Sequence, residues 1–247
     1  DSVITTENSG AIVNTGSEVG NGIYALSLDG HLDISNLPMS TKGASYYLQE
    51  VKTLDGCVLD TAQYDAVFKQ SDFTTKNYIK SFDVENKTTD FEFNKTDVTG
   101  DKEVEGAQLT ITDEDGNVVD QWTSTEKVHS IEGLVVGKTY TLSETVTAKD
   151  YVKATDIKFT VKNSSELETV TMKDKQVFVS KTTVGGEEVT GAHMQIIDED
   201  GNIIDEWYSE GKSHIANGLE EGKIYTLHED LSPLGFNLAN DFTFEVT

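Results

Sequence analysis

The chain repeats itself, and this internal repeat limits what it can fold into. The segment "NKTDVTGDKEVEGAQLTITDEDGNVVDQW", which begins at Asn94, returns as "SKTTVGGEEVTGAHMQIIDEDGNIIDEW" from Ser180, one residue shorter. After that gap the matching positions lie 85 apart, as in Trp122 and Trp207. A fixed period of this length indicates repeated structural units. The chain therefore contains at least two copies of one domain.

A third, more diverged copy precedes these two. "YYLQEVKTLDGCVLDTAQYDAVF" parallels "YTLSETVTAKDYVKATDIKF", and Cys57 takes the position of Tyr151 and Phe236. A length of 247 residues also exceeds the usual size of one domain. We predict three domains, called copies one, two and three below, at residues 1–89, 90–175 and 176–247.

Short runs rich in Val, Ile, Thr, Phe and Tyr fill each copy, separated by turn signals such as Asp115-Gly116. This spacing predicts an all-β fold of immunoglobulin-like, antiparallel β-sandwiches. "DEDGN" at 113–117 and 198–202 fits a hairpin turn better than a calcium loop, because an EF-hand needs a later Glu and flanking helices. Seven positions from Asp174 to Lys181 are too few for a flexible linker, so we expect a rod of stacked domains.

Composition excludes several classes of function. The chain has 44 acidic residues, 19 lysines, no arginine and a formal net charge of -25, a field that repels nucleic acid and anionic lipid. It has no apolar run long enough to enter a membrane.

Cys57 is the only cysteine, which rules out an internal disulfide, and we interpret it as a small core residue. No histidine pair has metal-ligand spacing, so we predict no metal and no cofactor.

The chain begins without Met and has no signal-peptide pattern, so we interpret it as a piece of a longer protein. No nucleotide-binding or hydrolase motif occurs in it, which argues against a turnover enzyme.

An inward glutamate ends one strand in each copy. In "YTLSE" the period-2 alternation places Glu144 on the same face as Tyr140 and Leu142. The same stripe ends in Glu229 in copy three and, more loosely, in Glu50 in copy one. Three glutamates at one position of an apolar stripe indicate a shared chemical role.

In copy two a lysine and a second carboxyl group are predicted to point into the same core as Glu144. In "FEFNK" Lys95 shares a face with Phe91 and Phe93, and in "VTMKD" Asp174 shares a face with Met172. Burial favours the neutral forms of both group types, which makes the amine a nucleophile and the glutamic acid a proton donor. The pattern predicts an amide between Lys95 and Asp174, promoted by Glu144 with loss of water. An unreacted buried ion pair, or a lysine that extends to solvent, remains the alternative.

"FEFNKTD", "YTLSETVTAKDY" and "VTMKD", in this order and spacing, resemble the Cna-B (prealbumin-like, SpaA-type pilin) domains of Gram-positive surface adhesins and pilins. The resemblance covers copies two and three well and copy one in part. It implies autocatalytic isopeptide bonds, with Lys95 as donor, Glu144 as catalytic acid and Asp174 as acceptor.

The other copies match this pattern incompletely. In copy three Lys181 and Glu229 match, but an acceptor would lie beyond Thr247, so the copy lacks a match for its last strand. In copy one Glu50 matches, and Asn86 in "FDVEN" matches an acceptor. Its donor strand would lie at or just before Asp1, where no suitable lysine occurs.

The resemblance implies a structural stalk or fibre segment at the bacterial cell surface, anchored to the wall through a region outside this chain. Its partners would be neighbouring domains of the same surface protein or pilus. Two other hypotheses stay open: an adhesin module that binds host extracellular matrix such as collagen, and a surface hydrolase. The only chemistry that we predict is the single-turnover cross-link.

Overall fold

The structure is a computed structural model that describes residues 3–75 and 78–247. Its secondary structure is almost entirely β, which confirms the predicted fold class. The described residues form two compact units. One comprises residues up to 54 together with 58–87, and the other comprises 55–57 together with 88–247.

The first unit contains short strands and two short helices. Its elements are α1 (Thr6–Ser9), β1 (Ile12–Thr15), β2 (Ser17–Gly20), β3 (Ile23–Ala25), β4 (Asp33–Ser35), β5 (Gly43–Gln49), β6 (Gln63–Lys69) and α2 (Gln70–Thr75). The strands pair only in twos, as β1 with β4, β2 with β3 and β5 with β6, all antiparallel. Across the described part of the chain, no helix has the length and apolarity needed to cross a membrane.

Copy two, in the second unit, consists of two facing sheets. Its strands are β7 (Asp90–Asp97), β8 (Gln108–Thr112), β9 (Val118–Thr123), β10 (His129–Glu132), β11 (Thr139–Val146), β12 (Ile157–Thr160) and β13 (Glu168–Asp174). One sheet has the order β10-β7-β13 and the other β12-β11-β8-β9. All pairs are antiparallel except that of β7 and β13, the first and last strands, which run parallel. This parallel pair departs from the antiparallel sandwich that the turn spacing predicts.

Alternation along each strand builds the core between these sheets. Phe91 and Phe93 of β7 and Met172 of β13 are each at most 2% exposed and pack against Leu109 and Leu142 from the facing sheet. Residues between them on the same strands point outward, as a half-buried sheet requires. The burial of these apolar side chains is the main force that holds the two sheets together.

Copy three repeats this plan with one strand fewer. Its strands are β14 (Phe178–Val179), β15 (Thr190–Ile197), β16 (Ile203–Glu210), β17 (His214–Ile215), β18 (Ile224–Leu231) and β19 (Phe242–Glu245). The four-stranded sheet has the order β16-β15-β18-β19, and the smaller sheet pairs only β14 with β17. In copy two β7 lies between β10 and β13. Its counterpart β14 pairs with β17 on one edge, and no described strand pairs with its other edge.

The two "DEDGN" segments form the predicted hairpin turns between β8 and β9 and between β15 and β16. In the first, Asp113 Oδ1 accepts hydrogen bonds from the backbone nitrogens of Asp115 and Asn117, at 3.0 and 2.8 Å. Gly116 has a φ of 81°, a left-handed conformation that favours glycine. Asp198 makes the corresponding bonds in the second turn.

Candidate functional site

Three strands of copy two bring a lysine and two carboxyl groups together in the core. Lys95 on β7, Asp174 on β13 and Glu144 on β11 are each 1% exposed. Lys95 and Asp174 come from adjacent strands of one sheet, and Glu144 comes from the facing sheet. The alternation of the strands therefore points all three side chains into the space between the sheets, as predicted from the sequence.

The lysine amine contacts both carboxyl groups. Lys95 Nζ donates a hydrogen bond to Asp174 Oδ1 and lies 3.2 Å from Glu144 Oε1. Asp174 Oδ2 is also buried, and the described residues offer it no hydrogen-bond partner. The amine is thus already in contact with the carboxyl group that it would attack, as a reaction between positioned groups requires.

Burial makes Asp174 easier to protonate than an exposed aspartate. Burial raises the pKa of Asp174 to about 6, the Lys95 ammonium opposes this rise, and the nearby Glu144 carboxyl adds to it. A buried site with one amine and two carboxyl groups is least costly when its net charge is zero. Such a site holds one carboxyl proton beside an ion pair, or two carboxyl protons beside a neutral amine. The second arrangement is the reactive one.

A backbone nitrogen holds the other oxygen of the glutamate. Ala154 N donates to Glu144 Oε2 at 2.9 Å. In copy three Ala239 N donates to Glu229 Oε2 at 2.6 Å, and in copy one Asp60 N donates to Glu50 Oε2 at 2.8 Å. The donor lies ten positions after the glutamate in every copy. The bond fixes one carboxyl oxygen and leaves the other free to face the lysine.

The backbone of the lysine is also fixed, by residues that the sequence alone does not reveal. Lys95 N donates to Glu103 Oε2 at 2.9 Å, and Val104 N donates to Lys95 O at 2.6 Å. In copy three the bond from Val189 N to Lys181 O is kept at 2.7 Å. Among the residues that the structure describes, Lys95 is held on both sides of its backbone, whereas Lys181 has the bond on one side.

Copy three contains two of the three groups. Lys181 Nζ lies 3.1 Å from Glu229 Oε1, and the lysine side chain is 16% exposed. No acceptor comes from a strand beside β14 in the described chain, consistent with the smaller sheet. The lysine of copy three thus stays partly open to solvent.

Copy one does not assemble a corresponding site. Glu50 accepts its backbone hydrogen bond, but Val84 and Asn86 are exposed and lie outside every described strand. The alternation in "FDVEN" predicts that Phe82, Val84 and Asn86 face inward together, and this expectation is wrong for Val84 and Asn86. Phe82 is half-buried against Tyr64, with ring centroids 5.8 Å apart, but residues 81–86 pair with no described strand that would orient their side chains. The position expected for a donor, at or before Asp1, lies outside the described residues.

Comparison with known proteins identifies the same unit twice. The family model SpaA, described as a prealbumin-like fold domain, matches residues 89–176 and 175–247. A search of curated proteins gave no match.

Several solved structures are similar to this chain at low identity. The Bacillus anthracis TIE protein is 21% identical over 91% of this chain, with a TM-score of 0.39, and the chain spans 43% of its length. A Streptococcal ancillary pilin is 17% identical over 91% of this chain and 76% of its own, with a TM-score of 0.34. The shaft pilin SpaA from Lactobacillus rhamnosus GG is 16% identical over 64% of this chain and 93% of its own, with a TM-score of 0.31.

Proposed function

The chain belongs to the SpaA family of prealbumin-like fold domains, and on this premise we propose that it is a structural segment of a bacterial surface fibre or adhesin. A covalent bond between Lys95 and Asp174 braces copy two. The observation that carries this proposal is the buried contact of the lysine amine with Asp174, beside Glu144, at the junction of the first and last strands. The partners are neighbouring domains of the same surface protein, and the site turns over once.

The amide between Lys95 and Asp174 forms in steps that conserve atoms and protons. A proton moves from the Lys95 ammonium to the Asp174 carboxylate, which leaves a neutral amine and a neutral carboxylic acid. The amine nitrogen attacks Cγ of Asp174 while the Glu144 acid donates a hydrogen bond to the carbonyl oxygen. Glu144 then passes a proton from the nitrogen to the departing hydroxyl group. One amide forms, one water leaves, and Glu144 is regenerated.

The mechanical consequence follows from where the bond lies. Lys95 and Asp174 are 79 positions apart in the chain but adjacent in the sheet. A force that enters through β7 and leaves through β13 passes through the amide. The residues between Lys95 and Asp174 then carry none of that force. Copy two then cannot extend unless a covalent bond breaks.

Single-molecule stretching tests this function. We expect copy two of the native chain to resist extension, and the Asp174→Ala variant to lengthen by a further ~270 Å when it unfolds, at about 3.4 Å for each released residue. Lys173→Ala is the matched control, because Lys173 is an exposed residue on the outer face of the same strand. Equal extension of the native chain and the Asp174 variant would refute the proposed brace.

The rate of bond formation should depend on pH. The reaction requires that the site hold one carboxyl proton besides the proton that Lys95 transfers, and the pKa of Asp174 is raised to about 6. Above this pH the folded site loses that carboxyl proton, which leaves two carboxylates beside one ammonium and no acid to activate the acceptor. We therefore expect cross-linking to slow as the pH rises from 6 to 8. Chain that is collected unfolded before it can react, then folded by dilution from denaturant at each pH and sampled by mass spectrometry, gives the rate. A rate that increases over this range would contradict the assigned protonation state.

A further inference from the structure

A short segment of copy two connects the cross-linking site to copy three. Residues 152–155, called the strap below, follow β11 and contact both regions. Ala154 N binds Glu144 Oε2, and Val152 N donates to the backbone oxygen of Lys175, the residue after Asp174, at 2.9 Å. The strap therefore contacts the promoting acid directly and the acceptor through its neighbour.

The opposite side of the strap is bound by copy three. Lys153 N donates to Leu219 O at 2.8 Å, and Glu221 N donates to Lys153 O at 3.0 Å. The side chain of Val152 is 1% exposed and belongs to the hydrophobic core of copy three. The strap thus belongs to copy two in sequence but bonds to and packs against copy three.

One carboxylate of copy three reaches both ends of this arrangement. Glu221 Oε1 accepts from Lys175 Nζ at 2.6 Å, and Glu221 Oε2 accepts from Thr155 N at 3.2 Å and Thr155 Oγ1 at 3.0 Å. Lys175 directly follows the acceptor Asp174. Thr155 directly follows Ala154, which holds the catalytic acid. A single side chain therefore restrains the residues next to both carboxyl groups of the site.

The contacts of Glu221 with Lys175 and Thr155, called the clamp below, occur at the junction between copies two and three. The position that matches Glu221 in copy two, 85 residues earlier, is Val136. Val136 packs against the core of copy two and offers no carboxylate to a preceding copy. The clamp is therefore not a general feature of the repeat.

We propose that Glu221 is a positioning residue for the cross-link in copy two, so that the bond forms fastest once copy three has folded and docked on the strap. This inference rests on the proposed function, because it concerns the rate of the same reaction. Small displacements of reacting groups slow reactions between positioned groups strongly. Release of the strap and of Lys175 would loosen Glu144 and Asp174 together, without changing either residue.

The test is the rate of water loss after dilution from denaturant, measured by intact mass well below the unfolding temperature. We expect Glu221→Ala to slow the reaction roughly tenfold, the scale of loss from imperfect positioning. Glu199→Ala is the matched control: it removes the same charge from copy three, at an exposed residue of the turn between β15 and β16 that makes no contact with the strap. The control should react at the native rate.

Two further measurements separate positioning from loss of structure. Near-ultraviolet circular dichroism, which reports the packing of Trp122 in copy two and Trp207 in copy three, should be the same in Glu221→Ala as in the native chain and so show that both copies stay folded. Lys175→Met removes the other partner of the clamp and should slow the reaction in the same direction, which keeps the proposal testable if the Glu221 variant does not fold. High salt should slow the native chain more than Glu221→Ala, because salt screens the Lys175–Glu221 ion pair.

Equal rates for the native chain, Glu221→Ala and Lys175→Met would overturn the positioning role and leave the proposed function intact. An equal slowing by Glu199→Ala would also overturn it, because the effect would then reflect charge alone. If the native chain loses no water, the proposed function itself fails, and this inference fails with it.

Discussion

Replacing Glu144 with alanine should give a chain that folds but retains the water that the native chain loses. The variant keeps Lys95 and Asp174 in contact but removes Glu144, the one other buried acid that the described part of the chain places beside the amine. Without a group that moves protons between nitrogen and oxygen, the amine and carboxyl group stay an ion pair. Intact mass in denaturant reports the outcome, and the full sequence mass is the expected result.

The same substitution should lower stability sharply. A cross-link that closes a loop of this size stabilises by about 4 to 5 kcal/mol on the chain-entropy estimate. For a domain of this size the loss corresponds to a fall in Tm of at least about 15 °C. Calorimetry should therefore show copy two of the variant unfolding well below the native transition.

Two controls separate the chemical role of Glu144 from its structural role. Glu144→Gln can still accept the Ala154 hydrogen bond but cannot transfer a proton, so it should also retain the water. Glu229→Ala changes the matching residue of copy three and should leave the mass deficit of copy two unchanged. A native mass deficit in Glu144→Ala would show that another residue promotes the reaction.

Replacing Asp174 produces the second large effect. Asp174→Ala removes the acceptor and leaves the Lys95 amine buried with Glu144 as its one carboxyl partner among the described residues. Both variants lack the cross-link, but Glu144→Ala keeps the buried pair of Lys95 with Asp174 and Asp174→Ala does not, and breaking a buried ion pair costs about 3 to 5 kcal/mol. We expect this variant to be less stable than Glu144→Ala, as measured by denaturant unfolding. If the two variants are equally stable, the buried contact of Lys95 with Asp174 contributes little.

Asp174→Asn gives the sharpest control. The asparagine amide can accept the amine with loss of ammonia in place of water, and the product is then the same amide between the same two side chains. The mature Asp174→Asn protein should therefore have the same mass as the mature native protein, although the two unreacted sequences differ in mass. A variant that still loses one water, and so stays lighter than the mature native protein by the Asp-to-Asn difference, would exclude Asp174 as the acceptor.

Alternation along strands is what allowed the site to be predicted from the sequence. Lys95, Glu144 and Asp174 each end an apolar stripe, and a period of two is enough to place such residues inside a sandwich. The internal repeat strengthened the pattern, because chance would not place a glutamate at the same position in three copies.

The supporting contacts could not be predicted in the same way. Glu103 and Ala154 lie outside the strands, and their bonds to the site depend on loop conformations that no periodic pattern encodes. Glu221 acts from another copy, so only the packing of one copy on the next reveals it. The constant ten-residue separation between each glutamate and its backbone donor is a sequence signal that could have indicated the Ala154 contact.

Copy one shows where the repeat misleads. The alignment placed Asn86 at an acceptor position, yet an inward direction requires a strand with neighbours, and Asn86 is exposed outside the strands. Sequence correspondence transfers a residue type but not the sheet that would orient it. The parallel pairing of β7 with β13 was missed for a related reason: turn signals describe only strands that are consecutive in the chain.

The proposed brace of copy two is one covalent bond between Lys95 and Asp174. The intact mass of the native chain under denaturing conditions tests for this bond most directly. We predict a mass lower than the sequence mass by one water molecule, with digestion yielding a branched peptide that joins the Lys95 and Asp174 fragments. A mass equal to that of the full sequence, with these two fragments recovered separately, would contradict the account.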